Sequence, residues 1–151
     1  REAKIAAANG YFDTLQLNDG TLHVGFTDDC NRRENGKQST NLKDPDLDAI
    51  WRLGSADQFR LGAYRYDDRL RDRRFLAVDE ERGIVLAGGF IDHEGRLGEM
   101  RLTDGSLRTS HFFRPHSFVL LEAFKIDGGR IRQVEAVFIT VPYNMPSPWV
   151  P

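Results

Sequence analysis

The sequence predicts an α+β fold, with N-terminal helices packed on one face of a strongly curved antiparallel or mixed sheet. Three observations predict it. An apolar stripe at helical spacing opens the chain, strand-like runs fill its second half, and a two-glycine turn joins the last two of those runs. Helices followed by a succession of strands read as a sheet covered on one side, and a pocket between the layers is a natural outcome.

Taken in order, Glu2–Leu17 reads as a helix, because Ile5, Ala8, Phe12 and Leu15 form one stripe with Tyr11 beside it. Asn18-Asp19-Gly20 breaks it. Thr21–Phe26 reads as a second short helix, from Leu22 and Phe26 one turn apart, and Thr27–Gly36 as a short polar strand ending in a glycine turn. Lys37–Pro45 is a polar loop. Asp46–Leu61 is a helix or a pair of short helices, interrupted by Gly54 and ended by Gly62.

Tyr64–Val78 is a charged strand and Ile84–Asp92 an apolar one, joined by the loop Asp79–Gly83. His93–Ser110 is a long loop rich in Gly, Asp and Arg. The final hairpin pairs Ser117–Ile126 with Ile131–Val141 through Asp127-Gly128-Gly129-Arg130, where glycines supply the positive φ of a tight turn. A proline-rich tail, Tyr143–Pro151, is expected to run extended, capping the fold or packing on a neighbouring subunit through Trp149. No internal repeat or low-complexity tract interrupts this order.

At 151 residues the chain suits one domain spanning residues 1–151, large enough for a single core. A net charge of −2 makes no electrostatic case for nucleic acid or an anionic membrane as partner. No apolar run is long enough to span a bilayer, and the start REAKIAAANGYF lacks a signal-peptide core. The single cysteine, Cys30, rules out an internal disulfide and fits a cytoplasmic location.

The segments YFDTLQLNDGTLHVGFTDDCNRRENG and EAFKIDGGRIRQVEAVF resemble the opening and the final hairpin of the SnoaL-like proteins of the nuclear transport factor 2-like superfamily. Within it, DDCNRRENG, RDRRFLAVDEERGIVLA and VPYNMPSPW are similar to a branch of fungal and bacterial proteins. The resemblance implies a cone-shaped α+β barrel. Its members include isomerases, dehydratases, cyclases, epoxide hydrolases and lyases, as well as non-catalytic binding modules, so fold alone leaves the chemistry open. Compared with the ketosteroid isomerase type of this fold, Tyr11 falls at an oxyanion-hole tyrosine, Glu34 at the general base, and Glu122 at the second oxyanion-hole acid. Both acids are Glu where that type has Asp.

Glu122 also stands out without the family. In the first strand of the hairpin, Phe118, Leu120, Glu122, Phe124 and Ile126 share one face at period two. A carboxyl on an apolar face holds its proton to higher pH, and can then donate a hydrogen bond to a developing oxyanion. An ionised second carboxylate, Glu34, can take a proton, and Tyr11 adds a donor. His116, on the same strand face as Glu122, could shuttle protons at the pocket mouth. Tyr64, Tyr66, Asp72, Phe118, Phe124 and Trp51 are the candidate substrate-binding residues. The competing structural readings are a Glu122 ion pair with Arg71 or Arg73, a solvated Glu34 beside Arg32 and Arg33, and a Tyr11 held only by core packing.

Tyr64–Arg74 carries five arginines and three aspartates. They form either an anion clamp or a ladder of cross-strand ion pairs on the outer sheet face. Asp92-His93 reads as an exposed turn. No histidine pair has metal-ligand spacing, so neither a metal nor a cofactor is expected. The resulting expectation is a cofactor-independent lyase or isomerase, acting by dehydration or retro-aldol-type chemistry on a small apolar, aromatic or polyketide-like molecule. It is expected as a homo-oligomer, a dimer or trimer. The alternatives are a non-catalytic ligand-binding or oligomerisation module, and an epoxide or ester hydrolase.

Overall fold

A computed structural model describes residues 1–65, 67–95 and 98–149. Helix α1, Glu2–Leu17, spans the whole apolar stripe and ends at Asn18, whose φ of 35° caps it in the left-handed region that Asn tolerates. After it come strands β1 (Phe26–Glu34) and β2 (Lys37–Gln38), helices α2 (Ala49–Arg52) and α3 (Ser55–Arg60), and strands β3 (Arg69–Asp79) and β4 (Ile84–His93). A small hairpin, β5 (Glu99–Arg101) and β6 (Leu107–Thr109), precedes the long hairpin β7 (His116–Asp127) and β8 (Arg130–Val141). The main sheet is open and mixed, ordered β2-β1-β8-β7-β4-β3, with β1 parallel to β8 and the other pairs antiparallel. Helix α1 lies against β3, β4, β7 and β8. Among the described residues no helix is long and apolar enough to cross a membrane.

The long hairpin matches its pattern. Asp127 pairs with Arg130, and Gly128 and Gly129 turn at φ of 53° and 78°. Asp46–Leu61 resolves into two short helices, with Gly54 as the N-cap of α3. The core between α1 and the sheet is aromatic. Tyr11 meets Phe59 and Phe124 edge-on, with ring centroids 5.4 and 5.0 Å apart, and Phe12 meets Phe124 at 5.4 Å.

Four elements depart from the expected pattern. Residues 21–25 form no helix. Their backbone is satisfied by α1 instead, since the His23 N–H donates to Thr14 Oγ1 at 2.8 Å. The supposed loop after Gly36 begins with β2, and β3 starts at Arg69 rather than Tyr64, because residues 61–65 continue from α3 as a turn. The long loop from His93 contains the β5–β6 hairpin, and His93 itself ends β4. Asp92 and His93, expected in an exposed turn, are 0% and 1% exposed, since β4 is a central strand.

Gly10 is the closest approach of α1 to the following segment. A Cβ there would lie 2.6 Å from the His23 carbonyl oxygen. Replacing glycine by alanine within a helix ordinarily stabilises by up to about 1 kcal/mol. Gly10→Ala is expected to do the reverse, costing about 1–3 kcal/mol through overpacking. Urea denaturation checks it, and a gain in stability would contradict the packing described.

Candidate active site

The register of the sheet creates the cavity. Glu34 on β1 pairs with Ala136 on β8, Ala136 with Glu122 on β7, and Glu122 with Ala87 on β4. The two glutamates therefore stand two strands apart, roughly 10 Å between backbones, with a single alanine between them. Alanine on both sides of Glu122 leaves space above the sheet, which α1 roofs with Tyr11 and Leu15. The space is a cavity of about 130 Å³, of the order that accepts a single aromatic ring. Phe118, Leu120, Phe138 and Ile91 supply apolar wall, while Arg32, Glu34, Tyr64, Asp67 and His93 supply polar groups.

Glu122 points in. It is 5% exposed, and its Oε2 has no partner among the described residues. Burial pushes its carboxyl up to about 8, against the pull of Arg32, so it is neutral at pH 7. The Tyr11 hydroxyl faces that carboxyl, and burial raises its own pKa well above the ordinary value for tyrosine. The expected alternative, pairing with Arg71 or Arg73, does not occur. Arg71 binds Asp92, and Arg73 reaches Asp13 on α1 at 2.5 Å.

Glu34 also lines the cavity, with its side chain 34% exposed. Its Oε1 accepts from Arg32 Nη2 and from Ser39 Oγ, both at 3.0 Å. Arg32 is 2% exposed and is clamped between rings, its Cζ 4.8 Å from the Phe59 centroid and 4.7 Å from that of Tyr64. Arg32 Nη2 also donates to the Tyr64 hydroxyl, which donates onward to Gln58 Oε1 at 2.7 Å. Gln58 in turn is fastened to the Ser39 and Ile50 carbonyls. Arg33 faces the other way, 3.8 Å from Glu135.

At another wall, His93 Nε2 lies 2.7 Å from Asp67 Oδ1, with both side chains at most 5% exposed. Burial raises the Asp67 pKa, partly offset by His93. His116 does not line the cavity. It stacks behind His93 with ring centroids 4.5 Å apart, its Nδ1 2.8 Å from the Arg114 carbonyl oxygen.

The expected substrate-binding residues divide. Tyr64 and Phe118 line the cavity, while Phe124 lies beneath it as a fully buried partner of Tyr11. Trp51 is on α2 and faces a separate groove with Arg108, 5.7 Å from its ring centroid. Asp72 is on the opposite sheet face. A bulge between Arg71 and Arg74, with Asp72 at φ 54°, reverses the alternation there, and Asp72 pairs with Arg71 at 2.6 Å. Tyr66 lies outside the described residues.

Arg32, Asp67 and His93 were missed as site residues. Period-two spacing from Glu34 and from Ile91 marks Arg32 and His93 as inward-facing. Asp67 has no such signal, because a turn carries it there. The arginine strand is partly the expected outer ladder. Arg69 and Arg71 meet Asp92 at 2.5 and 2.8 Å across β3–β4, and Asp92 also accepts from Ser117 Oγ at 2.5 Å. The tail folds back over this face of its own chain, where Arg69 binds Asn144, Arg71 the Met145 carbonyl and Arg74 the Trp149 carbonyl.

A family model described as a domain of unknown function, DUF8021, matches residues 1–138. The chain belongs to the DUF8021 family. No curated protein matches its sequence. Among solved structures, the DUF8021 chain is similar to a candidate polyketide cyclase from Silicibacter sp. TM1040, with TM-score 0.59 and 14% identity, covering 91% of this chain and 90% of that one. It is also similar to a candidate ketosteroid isomerase from Kribbella flavida, with TM-score 0.52 and 16% identity over 97% and 84% of the two chains. AusH from Aspergillus nidulans aligns with TM-score 0.53 and 13% identity over 92% and 85%. At these identities the likeness shows the fold, which is that of the SnoaL-like proteins of the nuclear transport factor 2-like superfamily.

Proposed function

We propose that this DUF8021 protein is a cofactor-independent enzyme of the isomerase or lyase type, cyclisation included, acting on a small, largely apolar carbonyl compound of about one ring. One observation carries the reading: Glu122, a neutral carboxylic acid at pH 7, stands in an apolar cavity with an oxygen lacking any partner among the described residues. In the proposed reaction Glu34 removes a proton beside the substrate carbonyl. Both of its hydrogen bonds land on Oε1, leaving Oε2 to act. Glu122 and Tyr11 donate to the oxygen as negative charge develops there, and Glu122 then delivers a proton. Similarity to cyclases and isomerases of the same fold supports the class.

The test is deuterium wash-in. One-ring enones and ketones in D₂O are expected to gain deuterium beside the carbonyl in the presence of the protein, followed by NMR. Ala136→Leu, which fills the space between the glutamates, should abolish it with folding intact. Rings that bind to the wild type, and not to Ala136→Leu, without any exchange would instead favour a binding module. Incorporation of ¹⁸O from water into product would favour the hydrolase.

The proposal includes a homodimer through the outer sheet face. Leu76, Leu121, Val137, Ile139 and Trp149 are 44–68% exposed there, an apolar patch of the kind that marks an interaction surface. Asp72 and Arg74 border the same groove, opposite charges that a two-fold axis can pair between copies. Ile139→Asp is expected to convert a dimer to monomer in sedimentation, and a wild-type monomer would remove this interface. The single cysteine, buried and unpaired, supports a cytoplasmic placement within this proposal.

A further inference from the structure

The cavity does not end at Glu34. Glu34 and Phe138 line it and also line an open groove of about 490 Å³, so the two spaces meet at these side chains. The apolar surface of the groove comes from Leu42, Leu47, Trp51 and Phe138. Leu47 is 38% exposed and the other three are half-buried. Backbone bonds fix this surface in place. The Asn41 and Leu42 N–H groups donate to the Leu53 and Trp51 carbonyls at 2.8 and 3.0 Å, and Asp48 caps α2 by accepting from the Ile50 N–H. Trp51 borders this groove as well as the one it shares with Arg108. The polar side chains along the groove are engaged with the protein itself. Asn35 bonds both the N–H and the carbonyl of Phe138, Gln38 Nε2 donates to the Thr40 carbonyl, and Ser39 Oγ donates to Glu34. Lys37 is exposed and stands opposite Glu34 in the β1–β2 register, so the neck carries charges of both signs and selects neither. What the groove has left to offer a ligand is apolar surface now in contact with water.

We infer that the ring bound in the cavity carries a neutral aliphatic arm on the carbon that loses its proton, and that this arm passes between Glu34 and Phe138 to lie on Leu42, Leu47 and Trp51. The inference rests on the proton transfer proposed above and adds the shape of the substrate. Glu34 is both the proposed base and the boundary between cavity and groove. A base touches the carbon it deprotonates, so that carbon is the ring atom nearest the groove. The cavity, at about 130 Å³, is filled by one ring and has no room for the arm. Covering the groove with an alkyl chain removes apolar surface from water on both partners, a gain that grows with each methylene. Leu42, Leu47 and Trp51 thus select among carbonyl compounds by what extends from the ring, and take no part in the chemistry.

The probes are cyclohexanone, 2-butylcyclohexanone, whose chain sits beside the carbonyl, and 4-butylcyclohexanone, an isomer of equal apolar area with the chain across the ring. Calorimetry with the wild type is expected to show the 2-butyl compound binding at least ~10-fold more tightly than cyclohexanone, and several-fold more tightly than the 4-butyl isomer. Leu47→Asp, at an exposed position that leaves the core alone, should bring the 2-butyl to cyclohexanone ratio to within about twofold of one. Trp149→Phe leaves Trp51 as the single tryptophan, and its emission should shift to the blue with the 2-butyl compound and not with cyclohexanone. Equal affinity for the two isomers, a ratio unchanged in Leu47→Asp, or an unmoved Trp51 spectrum overturns the inference, and deuterium exchange in cyclohexanone would leave the proton-transfer reading standing. The butyl preference without any exchange would keep the groove and remove that reading. Failure of all three ketones to bind overturns both.

Discussion

Glu122→Gln is expected to lower kcat by about 100-fold or more while the protein stays folded, the usual scale for losing a general acid. The amide can still donate a hydrogen bond, so KM should move little. It cannot deliver a proton, so the loss falls on kcat. The wild-type rate should decline as pH rises through about 8, where the Glu122 carboxyl ionises, and that limb should vanish in the variant. Stability carries the same signature. The folded protein keeps the Glu122 proton up to about 8, whereas the unfolded chain releases it near 4.5. Between those values the folded state binds the extra proton, so wild-type stability falls as pH rises, by up to the order of 5 kcal/mol. The contribution is fully present below 4.5 and lost above 8. Urea midpoints from pH 4 to 9 should therefore fall more steeply for wild type than for Glu122→Gln. Parallel curves, or unchanged turnover, would sink the assignment.

Asp92→Ala is expected to cost about 3–5 kcal/mol, the scale for removing one partner of a buried charge pair. Asp92 is 0% exposed and accepts from Arg69, Arg71 and Ser117. Those arginines also hold Asn144 and the Met145 carbonyl, so losing Asp92 should loosen the tail from β3. Faster amide exchange over residues 143–149, together with a lower urea midpoint, is the expected pair of readouts. A loss below about 1 kcal/mol with an unchanged tail would show that water screens this cluster as it screens surface pairs.

The elements legible from residue types alone were those with strong periodicity. Helix α1 and the β7–β8 hairpin have the expected bounds to within a residue, because their apolar repeats and glycine turn constrain the backbone locally. The segment 21–25 misled because two apolar residues one turn apart make a weak pattern, and a tertiary contact with Thr14 outcompetes it. Asp72 misled because a bulge between Arg71 and Arg74 shifts the alternation by one residue and turns Asp72, Arg74 and Leu76 to the outer face, until a second irregularity between Phe75 and Ala77 returns Val78 to the core side.

The same division runs through the site. Alternation along β7 determined that Glu122 shares the apolar face, and alternation along β1 placed Arg32 and Glu34 together. Those are properties of a single strand, and period two fixes them wherever the strand lies. Alternation did not reveal that Ala136 and Ala87 flank Glu122, that Arg32 would pair with Glu34 and Tyr64 rather than face solvent, or that a turn would carry Asp67 to His93. Each depends on register between strands or on a loop path, set by packing over the whole sheet. The charge on Glu122 depends on the same packing. A carboxyl beside alanines under an aromatic roof holds its proton to about 8, and in an open strand it would not.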